Sequence, residues 1–302
     1  VLSGIPQGSI LGPILFTIFI NDLPEMLEST CKIFADDTKL YDLASNNKSL
    51  QNDIFKLQEW SDKWNLYFNV TKCNVMHIGK RNPECEYEMR VSNGEQKINV
   101  CESEKDLGVT FDRQFSFDPH IQRVVGKANQ MLGIIKRAFT FLDKETFIKL
   151  YKAFVRPHLE YANVIWCPFL KRQSKLIESV QRRATKILRE CQQMSYSERL
   201  HYLNLHSLKG RRIRGDLIQT YKIFNNVDDV DVNALFSLSH NDFTRNSEGK
   251  IFIKHCFSNK RKYSFSFRVA ANWNSLSSNV KFAQSTNHFK SLLDNIPNFR
   301  EQ

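Results

Sequence analysis

The sequence predicts an α+β fold, with short strands and helices mixed in its first part and helices dominating the rest. Three observations carry this expectation. Short β-prone runs separated by turn signals recur as far as Phe111. From Asp118 onward, apolar residues instead return every three or four positions, the period of a helix face. Charge divides near the same place: residues 1–110 hold 11 Lys and Arg against 16 Asp and Glu, and residues 111–302 hold 32 against 16. With 302 residues and 41% hydrophobic content, the chain has material for more than one core. The expected divisions are residues 1–115, 116–230 and 231–302.

Ser3 to Ser9, with Gly4, Pro6 and Gly8, reads as a loop. A helix is expected from about Ser9 or Pro13 to Met26, with Ile14, Leu15, Ile18 and Phe19 on its apolar face. Pro13 is tolerated in a first turn. Ile33 to Ala35 and Thr38 to Tyr41 read as two strands around Asp36-Asp37. A helix follows from about Asn46 to Leu66, its stripe formed by Leu50, Ile54, Leu57, Trp60 and Trp64. Val75 to Ile78 predicts a strand. Glu86 to Val91 and Lys97 to Cys101 predict a hairpin around Asn93-Gly94, a strong turn signal. Leu107 to Phe111 predicts another strand, with Gly108 allowing close backbone approach.

The second part is predicted as helices at 119–141, 143 to Pro157, 171–191, 195–203 and 207–226. Asp143 is read as a cap and Pro157 as an interruption. Asp228-Asp229-Val230-Asp231 breaks the pattern. Beyond it the expectation is a strand at Ile251 to His255 and helices around 268–276 and 286–294. Alternation at Tyr263, Phe265 and Phe267 suits a half-buried strand, and these rings with Trp273 read as core.

Several classes are excluded. The seven cysteines are scattered and never form a C-x-x-C pair, which argues against a disulfide framework or a zinc ribbon. The eight histidines show no ligand spacing. The apolar run Ile10 to Ile20 is too short to span a bilayer, and no secretory signal is visible. The expectation is therefore an intracellular protein, nuclear or cytoplasmic, with no membrane partner. A basic second part suits a polyanion.

The strongest chemical signal is a constellation. Gly4-Ile5-Pro6-Gln7-Gly8-Ser9-Ile10-Leu11-Gly12-Pro13, a helix, and then Phe34-Ala35-Asp36-Asp37 resembles the reverse transcriptases of non-long-terminal-repeat retrotransposons of the jockey-like group. Trp60 to Leu66 with Asn69-Val70-Thr71-Lys72, Lys105-Asp106-Leu107-Gly108-Val109, Arg156 to Tyr161 and Gln181 to Ala184 continue the resemblance. It implies part of a right-hand polymerase palm, an antiparallel sheet with helices, followed by a mainly helical thumb and a C-terminal extension. It implies an RNA-directed DNA polymerase acting on RNA template, DNA primer and deoxynucleotides, with two Mg²⁺ ions in the complete site.

By the same resemblance Asp36 and Asp37 are catalytic metal ligands, Asp36 the principal one. Hard Mg²⁺ prefers such oxygen donors, and substrate phosphates fill its shell. Pro6, Gln7 and Gly8 would lie against template and nucleotide, where a glycine admits the backbone without a Cβ. Lys72 is either a catalytic cation facing the leaving pyrophosphate or an exposed cation at a helix end. Leu107 and Gly108 would hold the primer. Lys171, Arg172, Lys175, Arg182, Arg183, Lys186, Arg211 and Arg212 are expected at nucleic-acid phosphates, the alternative being a charged surface helix. The family's further aspartate belongs to a strand before the Pro-Gln-Gly loop. The sequence starts inside this pattern and reads as a fragment that does not polymerise alone. The other open readings are a non-catalytic nucleic-acid-binding remnant and an interaction scaffold.

Overall fold

A computed structural model describes residues 8–79, 81–91, 94–239 and 249–296. The chain divides into two units, Val1–Glu104 and Lys105–Gln302.

In the first unit, helix α1 (Leu11–Ile20) carries Pro13 in its first turn, where no intrahelical N–H is required. The helix stops at Ile20, and the chain re-enters as a 3₁₀ turn, Leu23–Met26, with Pro24 near its start. This is shorter than the predicted span to Met26. The predicted apolar face is also corrected: Ile14, Leu15 and Ile18 are exposed, by 53%, 49% and 67%. The helix is apolar nearly all round, and the side that packs carries Phe16 and Ile20, one turn apart.

Strands β1 (Thr30–Phe34) and β2 (Asp37–Tyr41) pair antiparallel, with Phe34 opposite Asp37. Helix α2 (Asn47–Trp64) then buries Ile54, Leu57 and Trp60, while Trp64 stays exposed. It ends on Asn65 in the left-handed region, φ 54°, a conformation that Asn tolerates. Ile20, Leu23, Leu57 and Trp60 form one small core, with Ile33 and Leu40 of the hairpin packed on it. Ile54, Tyr87, Met89 and Ile98 form a second.

The remaining pairings of this unit depart from the predicted ones. Strand β3 is only Asn74–Val75. Strand β4 (Glu88–Val91) pairs with β5 (Gly94–Lys97), Val91 opposite Gly94, so the second arm begins earlier than predicted. Ser92 and Asn93, and with Asn93 half of the predicted turn signal, lie outside the described residues. Strand β6 (Asn99–Val100) leaves the hairpin to run parallel to β3. Two side chains of α2 serve β4 as a neighbouring strand would. Gln51 donates to the Glu88 carbonyl and accepts from its N–H, both at 2.9 Å; Gln58 does the same at Arg90, at 2.8 Å. Seven residues apart on one helix face, the two amides satisfy backbone groups that would otherwise be an open edge.

The chain passes from the first unit to the second within a hairpin. Strands β7 (Ser103–Asp106) and β8 (Val109–Asp112) leave Leu107 and Gly108 as the turn, so Leu107 is not the strand residue predicted. Among the described residues the strands form four two-stranded sheets, one of them parallel, rather than one antiparallel sheet.

Helix α3 (Asp118–Ala138) follows, with Pro119 at its start. Asp143 caps α4 (Lys144–Leu150) by accepting the Thr146 N–H at 2.9 Å. Pro157 does not interrupt this helix as predicted. The chain widens to a π-helical segment, Tyr151–Val155, and resumes as α5 (Arg156–Glu160) with Pro157 in its first turn. The Arg156 N–H reaches back to the Tyr151 carbonyl, so the widened turn absorbs the hydrogen bond that proline cannot make. Helices α6 (Lys171–Thr185), α7 (Tyr196–Tyr202) and α8 (Leu208–Phe224) complete this layer. Ser195 and Glu198 form a capping box on α7. Val124, Ala128, Leu132, Phe147, Tyr151, Leu159, Trp166, Ile177 and Val180 meet in the largest core.

The last helices are α9 (Val232–Leu235), α10 (Asn259–Lys262), α11 (Phe265–Asn274), α12 (Ser278–Lys281) and α13 (Thr286–Asp294). They pack on the far end of α8. Tyr221 stacks on Phe289 with ring centroids 4.4 Å apart, and Phe224 on Trp273 at 5.2 Å. The predicted strand at Ile251 to His255 is a single bridge from Ile251 to Leu238. Phe265 and Phe267 open a helix rather than a strand, because Phe265, Val269 and Trp273, four apart, all face this core.

Candidate functional site

The β1–β2 turn is as tight as a hairpin allows. With Phe34 paired to Asp37, only Ala35 and Asp36 lie between the strands. Such two-residue loops require positive φ at their first central residue, and Ala35 has φ 50°. Asp36 therefore sits at the apex and Asp37 on the first rung of β2. Both are exposed, and neither carboxylate has a hydrogen-bond or ion-pair partner among the described residues.

The base of the hairpin is anchored from behind. The carboxylate of Asp53, fully buried on α2, accepts the Glu28 N–H at 3.0 Å and the Ser29 N–H at 2.7 Å, and pairs with Lys56 at 3.0 Å. Burial pushes this carboxyl up, but the Ser29 N–H, Lys56 and the Glu28 N–H together hold it below its ordinary range. The segment entering β1 is thereby fixed to α2. Asp53 was not singled out by the sequence, where it reads as one more polar position on an amphipathic helix.

Of the residues expected at template and nucleotide, Pro6 and Gln7 lie outside the described residues. Gly8 is exposed at φ +90°, with no atom within 4 Å of where a Cβ would stand. Lys72 ends a 3₁₀ turn, Val70–Lys72, and is exposed. The structure does not bring it into ion-pair contact with Asp36 or Asp37.

Leu107 and Gly108 form the tip of the β7–β8 hairpin, with φ 44° and 85°. The tip is clamped from three sides. Tyr161 Oη donates to the Leu107 carbonyl at 2.9 Å, and Arg123 Nη2 donates to the Gly108 carbonyl at 2.6 Å. His120 Nδ1 accepts the Thr110 N–H at 3.2 Å. Trp166, fully buried, holds the clamp by donating to the Tyr161 carbonyl at 2.8 Å and setting its ring edge-on to His120 at 4.7 Å. A Cβ at Gly108 would stand 3.0 Å from the Tyr161 ring. Gly108→Ala should therefore displace Tyr161 and strain the turn, lowering stability by about 1–3 kcal/mol in urea unfolding. Gly126→Ala, inside α3 with open space around it, should not be destabilising.

His120 adds a pH dependence. It is 1% exposed, and burial together with the neighbouring Arg123 lowers its pKa from 6.5 to about 4. The unfolded chain thus takes up a proton that the folded chain refuses. No penalty acts above the unfolded value. Below pH 6.5, stability should fall by about 1.4 kcal/mol per pH unit until the folded value near 4. His120→Gln should flatten that slope in urea titrations at pH 7 and pH 5.

The basic positions separate into two groups. Lys171, Lys175 and Arg182 of α6, with Lys186 at its cap, are exposed. Spacings of four, eleven and fifteen residues place them within about 60° of one another along about 22 Å of helix. Arg182 also lies over the Tyr196 ring at 4.0 Å. Arg172 and Arg183 face α3 instead, pairing with Asp118 and, at 2.8 Å, with Asn129. Arg211 and Arg212, expected at phosphates, are corrected. Arg211 is engaged by both carboxylate oxygens of Glu160, and Arg212 is only 4% exposed beneath α6. Core helices pack against α8 on more than one side, so charges that read as surface lie inside.

Among the described residues no group of three or more His, Cys, Asp or Glu is placed to hold a metal ion. No helix among them is long and apolar enough to cross a membrane.

Residues 1–132 match the family model of reverse transcriptase (RNA-dependent DNA polymerase). The chain is 28% identical over 176 residues to the RNA-directed DNA polymerase from mobile element jockey of Drosophila melanogaster, covering 53% of this chain and 19% of that protein. It is 30% identical over 182 residues to the jockey polymerase of Drosophila funebris, covering 53% and 19%. It is 24% identical over 221 residues to the probable RNA-directed DNA polymerase from transposon X-element of Drosophila melanogaster, covering 67% and 23%. The matched stretch is thus about a fifth to a quarter of the length of these relatives. No solved structure matches the chain. Through residues 1–132, this chain is thus similar to the reverse transcriptase (RNA-dependent DNA polymerase) family.

Proposed function

We propose that this chain supplies one half of the polymerising centre of a retrotransposon reverse transcriptase, transferring deoxynucleotides to a primer 3′-hydroxyl on an RNA template. The carrying observation is the Ala35-Asp36-Asp37 turn, which holds two exposed carboxylates, unpaired among the described residues, at a two-residue apex. The donor chemistry fits Mg²⁺, which binds through one or two carboxylates and completes its shell with water and phosphate oxygens. When bound, such ions activate the attacking hydroxyl and neutralise charge on the leaving group. Asp36 and Asp37 would hold them. Lys72 would stand as a mobile cation for the leaving pyrophosphate. Pro6, Gln7 and Gly8 would lie along template and nucleotide, and the clamped Leu107-Gly108 tip along the primer. The exposed stripe Lys171, Lys175, Arg182 and Lys186 would follow a phosphate backbone. In this reading residues 1–115 are part of a palm, 116–230 a thumb and 231–302 an extension.

Two carboxylates make only half of a two-ion site, and no third acid gathers with them among the described residues. The chain alone should therefore give no Mg²⁺-dependent extension of a DNA primer on an RNA template. Joined to the part of the jockey polymerase that precedes its matched region, it should extend. Extension by the chain alone would contradict the half-site. Failure of the joined protein, with salt-dependent primer–template binding intact, would favour the second reading, a nucleic-acid-binding remnant. The exposed cationic stripe on α6 is the observation that supports that alternative.

A further inference from the structure

We propose that the surface from Lys250 to Lys262, with the cleft beside it, binds single-stranded nucleic acid, its exposed rings stacking on bases and its cations holding the backbone. From Gly249 to Leu293 the sequence contains eight Lys and Arg and no Asp or Glu. Arg268 of this set is committed to Asp216. Lys250, Lys254, Lys260 and Lys262 have no acidic partner among the described residues, and Arg261 lies 5.2 Å from the centre of the Phe267 ring. Lys281 adds to the excess. It is 6% exposed and has no carboxylate partner among the described residues; burial and then Lys250, a charge of the same sign, both depress its pKa. Two like charges this close favour an anion beside them.

Aromatic side chains are interleaved with these cations. Phe257 is 97% exposed, with His255 edge-on at 4.8 Å, and Phe252 is 56% exposed. Rings so open to water contribute nothing to the core and leave their faces free to stack on a flat partner. Phe252 and Phe267 line a cleft of about 170 Å³ that also receives Lys254 and Arg261. That volume is below the roughly 300 Å³ at which small-molecule pockets begin, so it suits one flat ring rather than a whole cofactor. Cations with stacking rings are the recognition chemistry of single-stranded nucleic acid. An acidic peptide would satisfy the cations but not the rings. A duplex, its bases already stacked, would do the same.

This site lies outside the residues of the family match, and its test needs no polymerisation. Fluorescence anisotropy of the whole chain with a labelled oligouridylate of 20 nucleotides, at several salt concentrations, reads it directly. Phe252→Ala with Phe257→Ala should weaken binding at least about fivefold for each ring removed. Lys260→Ala, Arg261→Ala and Lys262→Ala together should weaken it and flatten its salt dependence. All five side chains are exposed, and matched melting curves will show that the fold is kept. The α6 variant Lys171→Ala, Lys175→Ala, Arg182→Ala, Lys186→Ala should leave the ring-dependent loss in place. Unchanged affinity without the two rings, equal binding of a blunt duplex, equal competition by polyglutamate, or no binding at all would each overturn the proposal.

Discussion

In a protein that joins this chain to the upstream part of the jockey polymerase, Asp36→Asn should lower single-nucleotide incorporation by at least about a hundredfold. That is the scale of removing one group that stabilises charge in the transition state. The melting temperature should not move. Asp36 is exposed at the apex of a two-residue turn, and its carboxylate holds no hydrogen-bond or ion-pair partner among the described residues. Asparagine has the same size and also suits turns, so the substitution removes charge and little more. Asp37→Asn should lower the rate less, since Asp37 is read as the supporting ligand. Rapid-quench incorporation at saturating nucleotide, set beside melting curves, separates the two effects. An unchanged rate, or a rate lost together with the fold, would remove Asp36 from the metal-holding role.

Arg268→Ala should cost about 3–5 kcal/mol, the range found when one partner of a buried ion pair is removed. Arg268 and Asp216 are only 9% and 8% exposed and meet through two bonds of 2.8 Å. The same guanidinium donates to the carbonyls of Asn163, Val164 and Tyr263 at 2.9–3.1 Å. It therefore ties α11 to α8 and to the loop after α5. Burial lifts the Asp216 carboxyl above its ordinary range even beside Arg268, which marks the pair as costly to bury. Replacing both partners, Arg268→Met with Asp216→Leu, should thus recover much of the loss. Urea unfolding of the two single variants and the double variant gives the coupling directly. A loss below about 1 kcal/mol for Arg268→Ala would be that of a surface pair and would contradict the buried tie.

What the sequence disclosed follows from how local each signal is. The Asp36-Asp37 turn was legible because β-prone runs flank it closely, and the helices at Asp143, Ser195 and Ser207 because their caps are written beside them. Long-range pairing was not legible. Asn74–Val75 finds Asn99–Val100 only through the folding of the chain between them. The strands at 75–78 and 251–255 shrank to short pairings for the same reason. Pro157 was misread because a proline announces a missing hydrogen bond but not the widened turn that absorbs it. Arg211 and Arg212 were misread because charge on a helix does not record how many neighbours surround it. At the candidate site the two carboxylates of the turn were visible, whereas the side chains that anchor the hairpin were not. Asp53, Gln51 and Gln58 act on backbone groups more than twenty residues away, and the His120–Arg123–Tyr161–Trp166 clamp comes from two separate segments of the chain.

The Ala35-Asp36-Asp37 turn is proposed above as half of a metal site. Titrating the ¹⁵N-labelled chain with Mn²⁺, a paramagnetic substitute for Mg²⁺, tests it most directly, by following the line widths of backbone amide resonances. Broadening should centre on residues 34–38, be reversed by excess Mg²⁺ and be absent from the Asp36→Asn, Asp37→Asn double variant. Broadening confined to other acidic segments, such as Asp228 to Asp231, with the hairpin amides unaffected, would contradict it.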